Sequence, residues 1–304
     1  DIFQESGFPN TRVEDWKYTD VKPIAKNTFS NITESNVASD NNEIDEILIK
    51  GLDCINLVFI NGAYSEKYSD IKNISNKIVI KSMADALIND ESLLKKHLTK
   101  HINQELSSFT ALNTAFIQDG AYINISANTN IDKPINITYI SRDSNHPFAT
   151  HPRNLIVMGE NSNATVIENY VGSGKVNYFT NSVTETVLLQ GAVLKHYKIQ
   201  QEGSSAFHIA SLNTSQSKDS RFESHLVSIG GALVRNNINA SLNEEGAEII
   251  MNGLYMTEDV QHVDNHTRVD HLKPHTQSHQ NYRGVLNGKS RGVFNGKVVV
   301  HPQA

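Results

Sequence analysis

The strongest constraint on the fold is a succession of short β-rich runs after Gly120. The runs alternate with clusters of Gly, Asn, Ser and Asp, and no stretch of comparable helical periodicity separates them. They are Ala121–Ile125, Ile135–Ile140, Asn154–Met158, Thr165–Glu168, Val187–Leu189, Val193–Ile199, Leu226–Ile229, Glu248–Met251 and Val298–Val300. The pattern predicts an all-β second part and leaves a sandwich, a jelly roll and an irregular β-helix open.

Glycine marks several boundaries between these runs. Three strands open with glycine and a small residue, at Gly191-Ala192, Gly231-Ala232 and Gly246-Ala247, which suits closely stacked rungs. Their spacing is irregular and gives no strict repeat. Asn287-Gly288 and Asn295-Gly296 are both predicted to be tight turns, because Asn-Gly favours type I′ hairpins.

The residues before about 110 mix strand and helix signals. Leu57–Ile60 predicts a strand that runs into a turn, and Ser82–Asp85 resembles a capping box that begins a helix. A four-residue step predicts one helix face through Leu94, Leu98, Ile102 and Leu106. We therefore divide the chain into an α/β section over 1–110 and a β section over 111–304.

Charge and cysteine content narrow the function classes. The 304 residues carry a net charge of −6, and no basic cluster or long apolar run points to nucleic acid or a membrane. The first residues lack the pattern of a signal peptide. A single cysteine, Cys54, favours a reducing compartment and cannot by itself hold an iron–sulfur cluster. We expect a cytoplasmic protein that contacts neither nucleic acid nor a membrane.

The densest group of metal-ligand side chains lies near the end of the sequence. Histidines and interleaved aspartates stand at His262, His266, His271, His275, His279, Asp259, Asp264 and Asp270. Imidazole and carboxylate are ligands of zinc and non-haem iron, so His266, His271 and His275 are candidate metal ligands. The spacing matches no established zinc signature, and hydrogen-bonded structural histidines are the alternative. No phosphate-binding loop or nucleophile elbow occurs.

Separated stretches of the sequence resemble one protein family from end to end. They are Gly7–Thr19 (GFPNTRVEDWKYT), Leu57–Gly62 (LVFING), Ala111–Gly120 (ALNTAFIQDG), and the last stretch, which runs from His262–His271 (HVDNHTRVDH) through Gly284–Lys297 (GVLNGKSRGVFNGK). In this order they are similar to the SufB/SufD family of the Suf iron–sulfur assembly system. The first stretch is closer to the SufD branch than to SufB.

The resemblance implies a mainly β protein, with a right-handed parallel β-helix core behind an N-terminal α/β section. It implies a non-catalytic scaffold that pairs with SufB through the β-helix and engages the ATPase SufC, in support of iron supply and cluster assembly. It also implies that this chain alone binds no cofactor, because the complex assembles the cluster transiently. From the residues alone, the alternative is a β-helix or jelly-roll metal-binding enzyme that uses the His262–His279 cluster.

One departure from the family concerns the end of the chain. The family continues past the position of Ala304 with the rest of the β-helix and a C-terminal helical domain that contacts SufC. We therefore expect this chain to lack that C-terminal part, and no residue here inherits its roles. An open β-helix end exposes unpaired strand edges, so we also expect the chain to self-associate.

Overall fold

The structure is a computed structural model of the 304-residue chain. It describes residues 2–30, 44, 51–72, 75–102, 107–142, 146–172, 177–302 and 304. About half of the described residues lie in strands and a small fraction in helices. In the described part, no helix is long and apolar enough to cross a membrane.

The helices lie before the long run of strands. They are α1 Ile2–Ser6, α2 Lys22–Ala25, α3 Met83–Asn89, α4 Glu91–His97 and α5 Ser108–Ala115, with a 3₁₀ turn at Glu14–Trp16. The predicted capping box is confirmed, because the backbone N–H of Asp85 donates to the Ser82 hydroxyl at 3.1 Å. The predicted helix face beyond α4 is wrong for Leu98 and Ile102, which lie outside the helix, and Leu106 lies outside the described residues.

Seventeen strands make up about half of the described residues. The first nine are β1 Ile55–Ile60, β2 Ala63–Tyr64, β3 Ile78–Ser82, β4 Ala121–Ile125, β5 Ile135–Ser141, β6 Phe148–Thr150, β7 Arg153–Met158, β8 Asn163–Gly172 and β9 Tyr178–Leu188. The others are β10 Val193–Gln201, β11 Phe207–Gln216, β12 Arg221–Ser228, β13 Leu233–Leu242, β14 Glu248–Thr257, β15 His262–His271, β16 Gln277–Leu286 and β17 Arg291–Val300.

The strands form two sheets, and from β7 onward successive strands alternate between them, in a β-solenoid of about 6 turns. Sheet I has the order β16-β14-β12-β10-β8-β5-β1-β2, and sheet II the order β17-β15-β13-β11-β9-β7-β4-β3. From β5 onward the neighbours in each sheet are parallel and keep one register, so that Val193 lies between Asn163 and Arg221. The predicted β-helix is confirmed. β1 and β3, which precede residue 110, also join these sheets, and the division at 110 stays a prediction.

The solenoid interior is filled by alternate side chains of both sheets. The small residues Ala192 and Ala247, predicted to suit stacked rungs, are fully buried in the apolar core. Phe59, Tyr139 and Tyr170 form a stack with ring centroids 4.9 Å apart, close to the strand spacing of a sheet. Offset stacking on successive coils thus continues the backbone ladder through the core.

One turn of each coil requires a residue in the left-handed conformation. The strand registers align these residues in one column, and all have positive φ: Asn128, Asn161, Gly191, Asp219, Gly246 and His275. Gly, Asn and Asp adopt this conformation most readily. His275, with a φ of 61°, therefore stands where the neighbouring coils have Gly or Asp.

The N-terminal region packs on the outer face of sheet II. Trp16, Phe109 and Phe179 belong to one buried apolar cluster with Phe207 and Leu233 of the solenoid. The Trp16 and Phe109 rings lie 5.3 Å apart, and Phe109 meets Phe179 edge-on at 5.9 Å. This cluster covers part of sheet II that would otherwise expose aromatic side chains.

The two Asn-Gly pairs near the end of the sequence differ. Asn287-Gly288 forms the predicted turn between β16 and β17. The prediction of a turn at Asn295-Gly296 is wrong, because both residues lie within β17 and pair with His266 and Thr267 of β15. The parallel ladder there holds the backbone extended, which overrides the local turn preference.

Candidate functional site

The three histidines proposed as metal ligands have separate surroundings. His266 pairs with Asp264, its Nε2 lying 3.0 Å from Oδ1. His271 lies within hydrogen-bond distance of the Thr276 and Ser278 hydroxyls, at 2.7 and 3.0 Å. His275 occupies the left-handed turn column. Among the residues that the structure describes, no group of three or more His, Cys, Asp or Glu side chains could hold a metal ion. The metal site stays a prediction.

The histidine-rich stretch instead meets the N-terminal motif. The Thr19 hydroxyl donates to Asp264 Oδ2 and lies 2.9 Å from His262 Nε2. Arg235 Nη1 donates to Asp264 Oδ2 at 2.7 Å and to the backbone carbonyl of Asp15 at 2.7 Å. We name this group, formed by Asp15, Trp16, Thr19, Arg235, His262, Asp264 and His266, the N-terminal clamp.

Burial and charge make the clamp a strong contact. The side chains of Arg235 and Asp264 are 3% and 1% exposed. The Arg235 guanidinium lies 3.8 Å from the Trp16 ring centroid, in cation–π contact. Burial alone would raise the pKa of Asp264, but the hydrogen bond from His266 and the charge of Arg235 outweigh it and lower that pKa. The carboxylate is therefore ionised, and two signature stretches are joined through it.

Thr19→Val is expected to lower the free energy of unfolding by about 1–2 kcal/mol. Valine has the shape of threonine but lacks the hydroxyl that donates to Asp264. Thr110→Val is the matched control. Thr110 is 1% exposed, and its hydroxyl oxygen has no hydrogen-bond partner among the described residues. We expect that control to be neutral or slightly stabilising. Urea unfolding measures both variants, and equal losses would contradict the role of the Thr19 hydroxyl.

A second buried group of charges lies inside the solenoid, centred on Glu168. Its Oε1 accepts from the Thr184 hydroxyl at 2.7 Å and lies 3.0 Å from His196 Nε2. Its Oε2 accepts from the Tyr170 hydroxyl at 2.8 Å. Burial alone would raise the pKa of Glu168, but the charge and hydrogen bond of His196, followed by the charge of Lys198, lower it to about 2. Glu168 is thus an ionised carboxylate in the core.

Lys198 connects this carboxylate to the next coil. Its Nζ lies 2.8 Å from His208 Nε2 and donates to Asn236 Oδ1 at 2.9 Å. His208 Nδ1 in turn lies 2.7 Å from Glu202 Oε2. Burial lowers the pKa of Lys198 to about 8, although Glu168 and Glu202 both favour its charged form. We name Glu168, His196, Lys198, Glu202 and His208 the interior charge cluster.

The interior charge cluster leaves little free space. A cavity of ≈ 20 Å³ lies among Glu168, His196, Lys198, Ser211 and Asn236. Such a volume accommodates about one water molecule and is too small for an organic ligand. A cleft of ≈ 360 Å³ lies elsewhere, between α4 and sheet II, with Lys96, His97 and Tyr122 among its lining residues.

Sequence reasoning missed the residues that hold both groups. Arg235 has no distinctive spacing, and Asp15 and Thr19 stand more than two hundred positions from Arg235 and Asp264. The interior cluster did leave a signal. His196, Lys198 and Gln200 alternate along β10, so they must share one face of the strand. Nothing in the sequence states that this face is the buried one.

The fold and these contacts define a β-solenoid protein whose N-terminal region is clamped to its own coils. The SUF system FeS cluster assembly SufBD core domain matches residues 139–304, and the SufBD protein N-terminal region matches residues 1–137. The chain belongs to the SufBD family, which confirms the resemblance seen in the sequence. It therefore has a role in iron–sulfur cluster assembly.

Curated relatives span both branches of the family. An iron–sulfur cluster assembly SufBD family protein of Synechocystis sp. is 27% identical over 313 residues, covering 100% of this chain and 68% of the relative. The iron–sulfur cluster assembly protein SufD of Escherichia coli is 26% identical, with 98% of this chain and 67% of the relative covered. The SufB protein of Bacillus subtilis is 24% identical, with 66% and 43% covered.

Proposed function

We propose that this chain is a cytoplasmic, non-catalytic scaffold of a Suf assembly complex that pairs with a SufB-type subunit. The observation that carries the proposal is the similarity to SufD of Escherichia coli over 98% of the chain. The iron–sulfur cluster is the cargo of this complex, and the chain holds no resident cofactor. A SufC-type ATPase, in support of iron supply and cluster assembly, is part of the same proposed complex, and this chain reaches it through the SufB-type subunit.

The charged groups of the chain support a scaffold role. The interior charge cluster is sealed inside the coils, and its cavity is too small for a substrate. The N-terminal clamp uses its ionised carboxylate to hold backbone and side chains of the same chain. Both groups therefore fix the shape of the molecule, as a protein that presents surfaces to partners requires.

The last described strands are the proposed pairing surface. β16 and β17 expose apolar side chains that an interior coil would bury, with Phe294 45%, Val298 52% and Val300 68% exposed. β17 pairs with β15 on one side, and its other edge has no strand beside it among the described residues. Exposed apolar side chains of this kind favour contact with another chain, and the family resemblance assigns pairing with SufB to the β-helix.

Mixing the chain with SufB and SufC from the same source, followed by size-exclusion chromatography, tests the proposal. We expect the chain to elute with SufB, and with SufC only when SufB is present. Val300→Asp is expected to lower the affinity for SufB at least about tenfold, because it buries a charge at the interface. Less of the chain should then elute with SufB. Ile88→Asp, at an 81% exposed position on α3, is the matched control and should change nothing.

Light scattering and metal analysis of the same fractions separate the outcomes. Without partners, the unmodified chain should self-associate at micromolar concentration, and Val300→Asp should reduce this. Failure to bind SufB, together with stoichiometric metal retained by the chain alone, would overturn the scaffold proposal. The variants His266→Ala, His271→Ala and His275→Ala would then test the histidine-rich stretch as a metal site.

A further inference from the structure

Four Asn-Gly pairs occur in the chain, and the structure holds them in different ways. Asn61-Gly62 lies in a turn, but Asn61 is 7% exposed and its Oδ1 accepts from the backbone N–H of Arg142 at 2.8 Å. Asn252-Gly253 lies inside β14, which pairs with strands on both sides. Asn295-Gly296 lies in β17, which pairs with β15. Asn287-Gly288 alone among them is an exposed turn.

The geometry at Asn287 brings two reactive groups together. The backbone nitrogen of Gly288 lies 2.9 Å from Asn287 Oδ1, so it is next to the side-chain amide carbon. Gly288 has a φ of +67° and no side chain to shield its nitrogen. The equivalent turn of the preceding coil, at Glu258 and Asp259, is exposed as well, so exposure is a property of this turn in the fold.

We infer that Asn287 is a self-modification site at which the side-chain amide is converted to a carboxylate. The deprotonated Gly288 nitrogen attacks Cγ of Asn287, the Cγ–Nδ2 bond breaks, and ammonia leaves with the transferred proton. The product is a five-membered succinimide. Water then opens the ring at either carbonyl and yields aspartate or isoaspartate, so that water is the single co-reactant and no electrons are exchanged.

The modification changes the turn that joins β16 to β17. The backbone N–H of Asn287 donates to the Thr257 carbonyl at 2.9 Å, and that of Lys289 donates to the Asp259 carbonyl at 2.7 Å. Isoaspartate adds one carbon atom to the backbone between these two hydrogen bonds, so both cannot keep their present geometry. We therefore expect the modified chain to hold the β16–β17 coil less firmly while the earlier coils stay intact.

Peptide mapping by mass spectrometry tests the inference on the unmodified chain, so no variant has to fold. After incubation in mildly alkaline buffer, Asn287 should convert at least about tenfold faster than Asn61 or Asn252. Cyclisation at Asn61 and at Asn252 requires local unfolding first, whereas cyclisation at Asn287 does not. Asn295, on a strand paired along one edge, should convert at an intermediate rate. Fragmentation that distinguishes isoaspartate from aspartate should find both products at position 287.

Denatured chain is the control for intrinsic reactivity. In concentrated denaturant all four asparagines precede glycine in an open backbone, so their rates should become similar. Asn287→Gln should abolish the signal at 287, because the longer side chain closes the ring far less readily. A native chain in which Asn287 converts no faster than Asn252 would overturn the inference, and so would a native ranking that persists unchanged in denaturant.

Discussion

Arg153→Ala is expected to lower the free energy of unfolding by about 3–5 kcal/mol, because it leaves the Glu185 carboxylate buried without its counter-charge. Both side chains are 0% exposed, and Arg153 Nη2 donates to Glu185 Oε1 at 2.6 Å. Arg153 also donates to Asn113 Oδ1 on α5 at 3.0 Å, and Glu185 accepts from the backbone N–H of Thr99 at 3.0 Å. The pair therefore ties two N-terminal segments to β7 and β9.

The cost of burying this ion pair makes a second outcome predictable. Burial lowers the pKa of Arg153 and raises that of Glu185, so desolvation outweighs the attraction for both groups. The double variant Arg153→Met with Glu185→Leu should therefore recover most of the stability lost in either single variant. Urea unfolding, monitored by circular dichroism, measures the free energy of unfolding of each variant. The dependence of that free energy on urea concentration should be compared together with the midpoint of unfolding.

An exposed arginine is the matched control for Arg153. Arg221 is 42% exposed and pairs with Glu223 at 2.8 Å and Glu248 at 2.9 Å. Arg221→Ala should cost about 1 kcal/mol or less, since solvent screens exposed pairs. Comparable losses for Arg153→Ala and Arg221→Ala would contradict the structural role assigned to the buried pair.

Glu168→Gln is expected to lower the free energy of unfolding by about 3 kcal/mol at neutral pH. This is the stabilisation that corresponds to a carboxyl pKa lowered from 4.5 to about 2 in the folded state. The variant keeps the size of the side chain and removes the charge that His196 and Lys198 face. Because the folded-state pKa is the lower one, the stabilisation is present above pH 4.5 and is lost as the pH falls toward about 2. The two proteins should therefore converge in stability as the pH falls through this range.

Urea midpoints at a series of pH values measure this convergence. Glu5→Gln, on the exposed helix α1, is the control and should leave the midpoint unchanged throughout. A cost for Glu168→Gln that stays constant from neutral to acidic pH would show that the charge of Glu168 contributes nothing. Such a constant cost is what the loss of the hydrogen bond from Tyr170 alone would produce, because the Tyr170 hydroxyl does not titrate in this pH range.

The sequence predicted strand positions well because strand patterns are local. The predicted strand Ala121–Ile125 has the bounds of β4, and Ile135–Ile140 lies within β5. The choice of a β-helix over a sandwich came from the family resemblance. The alternation of residue types along a strand predicts which side chains share a face. It does not predict which strands pair, such as the pairing of Val193 with Asn163 and Arg221 on neighbouring strands.

Tertiary contacts explain the errors. The helix predicted through Leu98 ends at His97, because Thr99 adopts a φ of 66° and donates its backbone N–H to Glu185. In β10 the ordinary rule places Tyr197 and Ile199 inside and the polar residues outside. The structure has the reverse, with His196 1% and Lys198 7% exposed. Burial of these charges depends on Glu168 and His208, which lie on the other strands β8 and β11.

The N-terminal clamp also dictates an order of events during synthesis. Asp15 is separated from Arg235 by 220 positions, and Thr19 from Asp264 by 245. The contacts of Asp15 and Thr19 must therefore wait until the coils that carry Arg235 and Asp264 have left the ribosome. Coils stack on their immediate neighbours as they appear, so the growing solenoid can fold without it. Formation of the clamp therefore follows the folding of those coils, and it reports that the coils carrying Arg235 and Asp264 are in place.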